Sequence, residues 1–260
     1  MTECQIERAD AGTSGTSGTS GSRARADGTA DRLTPLAANV ALVRGRIEAA
    51  GGDPARITLV AVTKGFGPAA VLAAVEAGLY DLGDNYAQEL LAKVRTPGLP
   101  VSLRWHFLGP VQRNKVAALS SHVDLWHSVD RLAVGQAIAR HQPGGRVLVQ
   151  VNVTGEASKH GCRPDEVGEL VSGLRRLDIE VTGLMTIGPA GPPEGARPVF
   201  RQVADMARQL GLAELSMGMT DDLEVAIQEG ATMVRIGRGL FGPRDRTVAP
   251  ATIGSLNGGN

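Results

Sequence analysis

Short apolar runs recur along the chain, each bounded by polar or glycine-containing segments: Ile57–Thr63, Tyr80–Gly83, Leu103–Leu108, Leu125–Val129, Val147–Val153, Val181–Ile187, Glu214–Met217 and Met233–Ile236. The intervals between successive runs are long enough for helices, and an amphipathic stretch over Leu33–Ala50 precedes the first of them. Strands alternating with helical patterns predict a parallel sheet covered by helices. Eight such units predict closure into a (β/α)8 TIM barrel, an α/β fold in a single domain. The rival architecture is an open doubly wound sheet, because Gly237-Arg238-Gly239-Leu240-Phe241-Gly242 matches the G-x-G-x-x-G fingerprint of dinucleotide folds. That fingerprint requires a following helix, another strand and an acidic residue about 20 positions on. The sequence given stops at Asn260, so the match is expected to be accidental.

The pattern fails at both ends. Thr-Ser-Gly repeats from Thr13 to Gly21 offer little apolar surface to offset chain ordering, which predicts a disordered tail over residues 1–31. The barrel is expected over 32–246 and a flexible C-terminal tail over 247–260.

Composition narrows the function classes. Hydrophobic residues make up 42% of 260, enough for one substantial core, and Lys+Arg and Asp+Glu each number 27. That balance removes the positive field that nucleic acid or an anionic membrane would require, so neither is expected as a partner and small ligands are. No stretch approaches the roughly 18 consecutive apolar residues of a membrane span, and the N-terminus has no apolar block of a secretory signal. Cys4 and Cys162 stand far apart with no metal or disulfide spacing. A cytoplasmic protein, monomeric and without a metal site, is expected.

The polar residues that interrupt the apolar runs fall toward their C-terminal ends: Lys64, Asn85, His106, Ser128, Asn152, Ser216 and Arg235. In a barrel those ends share one face, the face that carries the active sites of this architecture. Lys64 leaves a segment expected to be wholly buried, and partial desolvation there favours a neutral amine able to attack an aldehyde. Ser216-Met217-Gly218-Met219-Thr220 and Gly237-Arg238-Gly239 should lie side by side after the last two strands. Glycines there admit backbone N–H groups close to an anion, and these are the recurrent phosphate loops of such barrels; tight turns are the plainer reading. Arg235 on the final strand is costly to bury without a ligand or a carboxylate. Facing a pyridine nitrogen, it would oppose protonation there and suit holding a cofactor more than carbanion chemistry. His106 is either a partner near such a ring or a satisfied core histidine, and Asn85 either orients a ring substituent or caps the following helix. Cys162, with no triad or metal set nearby, is expected to be structural or incidental.

Taken in order, Leu59-Val60-Ala61-Val62-Thr63-Lys64, Gly83-Asp84-Asn85-Tyr86-Ala87-Gln88-Glu89, Trp105-His106-Phe107-Leu108-Gly109-Pro110 through Lys115, Gly183-Leu184-Met185-Thr186-Ile187, Leu215-Ser216-Met217-Gly218-Met219-Thr220-Asp221-Asp222 and Val234-Arg235-Ile236-Gly237 resemble the pyridoxal phosphate homeostasis proteins. This is the YggS/PROSC family, related in fold to the barrel domain of alanine racemase, and the resemblance spans about residues 33–246. It implies pyridoxal phosphate as cofactor, held as a Schiff base on Lys64. It further implies phosphate anchoring at Ser216, Met217, Thr220 and Gly237, Arg235 beside the pyridine nitrogen, and Asn85 and His106 in the cofactor pocket. The implied role is to keep the free cofactor low and supply it to pyridoxal-phosphate-dependent apoenzymes, with no dedicated reaction. Thr63 stands where the family usually has Ser, Asp84 where it has Glu, and Arg238 where it has a smaller residue.

Two rivals remain. A pyridoxal-phosphate-dependent amino-acid racemase would share barrel, lysine and phosphate site but needs acid/base groups on both faces of its carbanion. The related racemases draw a tyrosine from a second domain, for which this sequence leaves no stretch; its tyrosines, Tyr80 and Tyr86, lie early in the barrel. The other rival is a cofactor-free sugar-phosphate barrel enzyme with Lys64 as catalytic amine.

Overall fold

A computed structural model describes residues 36–243. The two expected tails lie outside the described residues. In chain order the elements are α1 (Leu36–Ala49), β1 (Thr58–Val62), α2 (Pro68–Glu76), β2 (Asp81–Asp84), α3 (Ala87–Lys93), β3 (Arg104–Phe107), α4 (Arg113–Leu119), β4 (Leu125–Val129), α5 (Leu132–His141), β5 (Gly145–Gln150), α6 (Val167–Leu174), β6 (Ile179–Met185), α7 (Arg197–Gln209), β7 (Glu214–Ser216), α8 (Leu223–Gln228), β8 (Met233–Ile236) and α9 (Arg238–Phe241).

All strand pairs are parallel, and β8 closes on β1 through Thr58 opposite Met233 to Ala61 opposite Ile236. The expected (β/α)8 barrel is the one observed, and its closure excludes the open doubly wound sheet. Gly237 therefore opens the short α9 at the barrel mouth rather than a dinucleotide-binding helix.

Alternation along each strand divides the interior into two compartments. On β8, Val234 and Ile236 join the layer between sheet and helices, while Met233 joins Leu125, Leu148 and Met185 in the lumen. The outer layer takes the larger apolar share, including Trp126, Phe200, Leu82 and Leu90, all buried. α1 buries Leu36, Val40, Val43 and Ile47, spaced three and four apart so that they form one stripe. Each contributes roughly 1.5–3 kcal/mol of burial. The helix packs against α8 and α9, with Asn39 Nδ2 donating to the Leu240 carbonyl at 2.7 Å.

The strand ends differ slightly from those the apolar runs predict. β5 stops at Gln150 instead of Val153 because Val151 bridges to Cys162 and the Asn152 side chain donates to the Glu156 and Lys159 carbonyls. Asn152 thus folds its own loop. Ser128 is likewise spent internally, its Oγ donating to the Leu108 carbonyl at 2.7 Å. Cys162 is buried, and desolvation, aided by the Glu166 carboxylate, pushes its thiol up to about 12.

Candidate functional site

A cavity of about 680 Å³ opens at the C-terminal ends of the strands, a size ordinary for small-ligand sites. Lys64, Asn85, Thr220, Arg235 and Gly237 all line it, together with Phe66, Leu108, Ile187 and Met219. Five of the eight cofactor-site residues expected from sequence therefore converge. His106, Ser216 and Met217 do not line it; each is buried.

The wall over β1 and β2 rests on a buried ion pair. Lys93, at the end of α3, pairs with Asp84 and donates to the Thr63 carbonyl at 2.7 Å, one residue before Lys64. Asp84 Oδ1 in turn accepts the backbone N–H groups of Asn85 at 2.8 Å and Tyr86 at 3.3 Å. Burial raises the Asp84 pKa, and the Lys93 ammonium works against that rise. Glu89 adds a further tie, accepting the Gly65 N–H at 2.7 Å. Both cavity residues on this side, Lys64 and Asn85, thus hang from one carboxylate–ammonium pair.

Asn85 does not cap α3. The N-cap position is Tyr86, with no side-chain cap bond. Instead its Oδ1 is buried at the cavity with no hydrogen-bond partner among the described residues. A buried orphan acceptor costs about 1–3 kcal/mol unless something donates to it. Gly109 is what permits this placement: a Cβ there would lie 1.9 Å from the Asn85 carbonyl oxygen.

The opposite wall is held by neutral groups. Arg235 Nη1 donates to Ser216 Oγ at 2.7 Å and Nη2 to the Thr186 carbonyl at 2.9 Å. Among the described residues no carboxylate lies in ion-pair range of this buried guanidinium, so the structural ion pair considered from sequence is not formed. Burial lowers its pKa to about 10, opposed only by the more distant Asp222. Met217 spends its N–H on the Met233 carbonyl. Above them, Thr220 Oγ1 accepts the Gly239 N–H at 3.1 Å and Arg46 on α1 donates to the Thr220 carbonyl at 2.8 Å, fixing the two terminal loops together. Gly218, at φ +90°, turns the first of them with its missing Cβ against Ala226. Arg238 pairs with Asp221 across the rim.

Sequence reasoning missed Lys93, Arg46, Gly109 and His127. Lys93 carried one signal, a lysine three residues after Leu90 on the buried side of α3. The others gave none before the chain closed on itself.

The sequence model of the alanine racemase N-terminal domain matches residues 32–245. The pyridoxal phosphate homeostasis protein of Pseudomonas aeruginosa is 44% identical over 226 residues, covering 82% of this chain and 97% of that protein. Its namesake from Escherichia coli K12 is 38% identical over 236 residues, covering 82% and 98%. Among solved structures, PipY of Synechococcus elongatus with pyridoxal phosphate bound superposes at a TM-score of 0.69 with 32% identity, over 80% of this chain and all of that one. Alanine racemase of Corynebacterium glutamicum, at 19% identity and a TM-score of 0.62 over 82% of this chain and 61% of its own, shares the fold. With such identity over nearly the whole of its relatives, the chain belongs to the pyridoxal phosphate homeostasis protein family.

Proposed function

We propose that the mouth cavity binds pyridoxal phosphate, with Lys64 as the amine that holds it, and that the chain serves to store the cofactor and pass it to apoenzymes rather than to turn over a substrate. The observation that carries this reading is the convergence on one cavity of Lys64, the orphan acceptor of Asn85 and the carboxylate-free guanidinium of Arg235. Pyridoxal phosphate supplies an aldehyde for the amine, a phenolic hydroxyl able to donate, a ring nitrogen able to accept and a phosphate dianion. The residues fit that set. Asn85 accepts, Arg235 donates, and Thr220 with the Gly237 loop receives the anion at the rim. Ser216 and His106 support the site from below, and Met217 packs behind it in the layer between sheet and helices.

The carrier reading is favoured over a racemase by the cavity lining. Among the described lining residues the only titratable groups besides Lys64 are Asp221, Arg235 and Arg238, and Asp221 is already paired with Arg238. A second proton-transfer group opposite Lys64, which racemisation requires, is not among them. The expected role in the cell is cytoplasmic and monomeric, and no helix of the described residues is long and apolar enough to cross a membrane.

The test is spectroscopic. Purified protein is expected to absorb visible light, borohydride to fix a pyridoxyl group that peptide mapping locates on Lys64, and Lys64→Ala to lose both while keeping its circular dichroism. Colourless protein that stays unmodified after incubation with the cofactor defeats the proposal in favour of a cofactor-free enzyme. Amino-acid racemisation by the loaded protein at roughly 1 per second or faster would restore the racemase.

A further inference from the structure

Beneath the cavity an unbroken line of hydrogen-bonded side chains, buried from Arg235 to His106, runs down the lumen to the part-buried Asp81 at the opposite end of the barrel. Arg235 Nη1 meets Ser216 Oγ at 2.7 Å, Ser216 Oγ meets His127 Nδ1 at 2.9 Å, His127 Nε2 meets His106 Nδ1 at 2.8 Å, and His106 Nε2 meets Asp81 Oδ1 at 3.0 Å. Asp81, the first residue of β2, is also gripped by Arg104 through Nε at 2.7 Å. Burial alone would raise its pKa; the bonds from His106 and Arg104 outweigh burial and hold it at about 2.

The protons on this line can be assigned from its two ends. Arginine only donates, so Ser216 Oγ accepts there. An ionised Asp81 only accepts, so His106 Nε2 carries a proton. With one proton, His106 then presents a bare Nδ1 and receives Nε2–H from His127. His127 is held neutral by burial, and by the fixed positive charge of Arg235, since its pKa lies well below the usual imidazole value. Its Nδ1 is therefore bare and receives the Ser216 hydroxyl hydrogen. Every donor on the line has an acceptor. The reverse assignment places Nδ1–H of His127 against Ser216 Oγ, and the hydroxyl hydrogen, which meets only Arg235 and His127 in this structure, is left buried without an acceptor.

We propose that His127 is a positioning residue for the cofactor site: by taking the Ser216 hydrogen on Nδ1 it turns the Ser216 lone pairs to Arg235 and so aims the guanidinium into the cavity. The role lies beyond direct contact, because neither His127 nor Ser216 lines the cavity. It rests on the proposed function for its ligand, but the proton arrangement stands on this chain alone.

Two measurements test it on the full chain. Long-range 1H–15N correlation of histidine-labelled protein without cofactor is expected to show His106 and His127 both protonated on Nε2 and bare on Nδ1; a proton on His127 Nδ1 overturns the inference. The second measurement is pyridoxal phosphate titration by absorbance. In H127N the amide oxygen can stand near the lost Nδ1 and still accept from Ser216, whereas in H127Q the longer amide reaches the Nε2 position and serves His106 only. Affinity is expected to fall about tenfold in H127Q, the effect of one buried hydrogen bond, and at most about threefold in H127N. S216A, which leaves the histidine pair whole, should match H127Q and decides the matter if H127Q does not fold. Equal losses in the asparagine and glutamine variants, or wild-type affinity in S216A, mean that His127 only fills space and overturn the proposal. Wild-type protein that takes up no cofactor defeats the proposed function itself, a result distinct from one in which wild type binds and the variants do not differ.

Discussion

The two walls of the cavity are built on opposite electrostatic plans. Under β1 and β2 a lysine and an aspartate are buried together, and their pairing fixes backbone: the Thr63 carbonyl and the Asn85 and Tyr86 N–H groups. Under β7 and β8 the buried guanidinium of Arg235 is hydrogen-bonded by neutral acceptors, and the line below it fixes side chains. The difference teaches where a ligand can act. A paired charge has nothing left to offer and serves as scaffold, while an unpaired guanidinium keeps its demand for an acceptor and serves as a binding group.

Breaking the charged wall should cost most. Lys93→Met leaves Asp84 buried without its cation, which predicts a loss of about 3–5 kcal/mol in denaturant unfolding. Adding Asp84→Asn removes the stranded charge and should recover much of that loss, since the amide oxygen still accepts from Asn85 and Tyr86. A single-variant loss below about 1 kcal/mol would show that the pair is not the foundation of this wall.

Gly109→Ala attacks the same wall through sterics. The new methyl would sit 1.9 Å from the Asn85 carbonyl oxygen, a contact that only backbone movement relieves. A cost of about 1–3 kcal/mol is expected, and cofactor affinity should fall with it because Asn85 is displaced. Stability lost with affinity unchanged would remove Asn85 from the site.

How much of this was legible beforehand follows from the range of each interaction. Eight apolar runs sufficed for the barrel, since burial on both faces is written locally in each strand. That Lys64, Asn85 and Arg235 would line one cavity was legible because a polar residue at the end of a buried run is anomalous where it stands. Ser216 and His106 carried the same anomaly, but their bonds to His127 and Asp81 were not legible, because those partners come from other strands. Pairings separated by many residues are fixed only when the sheet closes. The Asp84–Lys93 brace stayed hidden for a subtler reason: nine residues apart, the two meet only because the chain reverses from β2 into α3.

The neutral wall is expected to respond to pH through His127. His127 binds its proton only well below the usual imidazole range when folded, whereas in the unfolded chain it does so near pH 6.5. The unfolded state therefore takes up the proton first as pH falls. Stability due to this group is complete above about pH 6.5 and declines below it by at most roughly 1.4 kcal/mol per unit. Unfolding free energies at pH 7, 6 and 5 measure the slope, and H127N should flatten it. An unchanged slope in H127N would place the titrating group elsewhere.

The smallest effect is expected at the rim, where Arg238 and Asp221 pair in the open with side chains 61% and 71% exposed. Such a pair is screened by water and salt, so Arg238→Ala should leave the unfolding midpoint where it is. Its effect on cofactor binding separates two roles. If Arg238 serves to cancel the Asp221 charge beside an incoming dianion, R238A weakens affinity about two- to threefold and the R238A/D221N double variant regains it. If instead Arg238 leaves Asp221 to grip the phosphate, the double variant stays weak. The exposed pairing favours recovery, because a guanidinium already engaged by a carboxylate has less to give a second anion than the backbone of the Gly237 loop beside it.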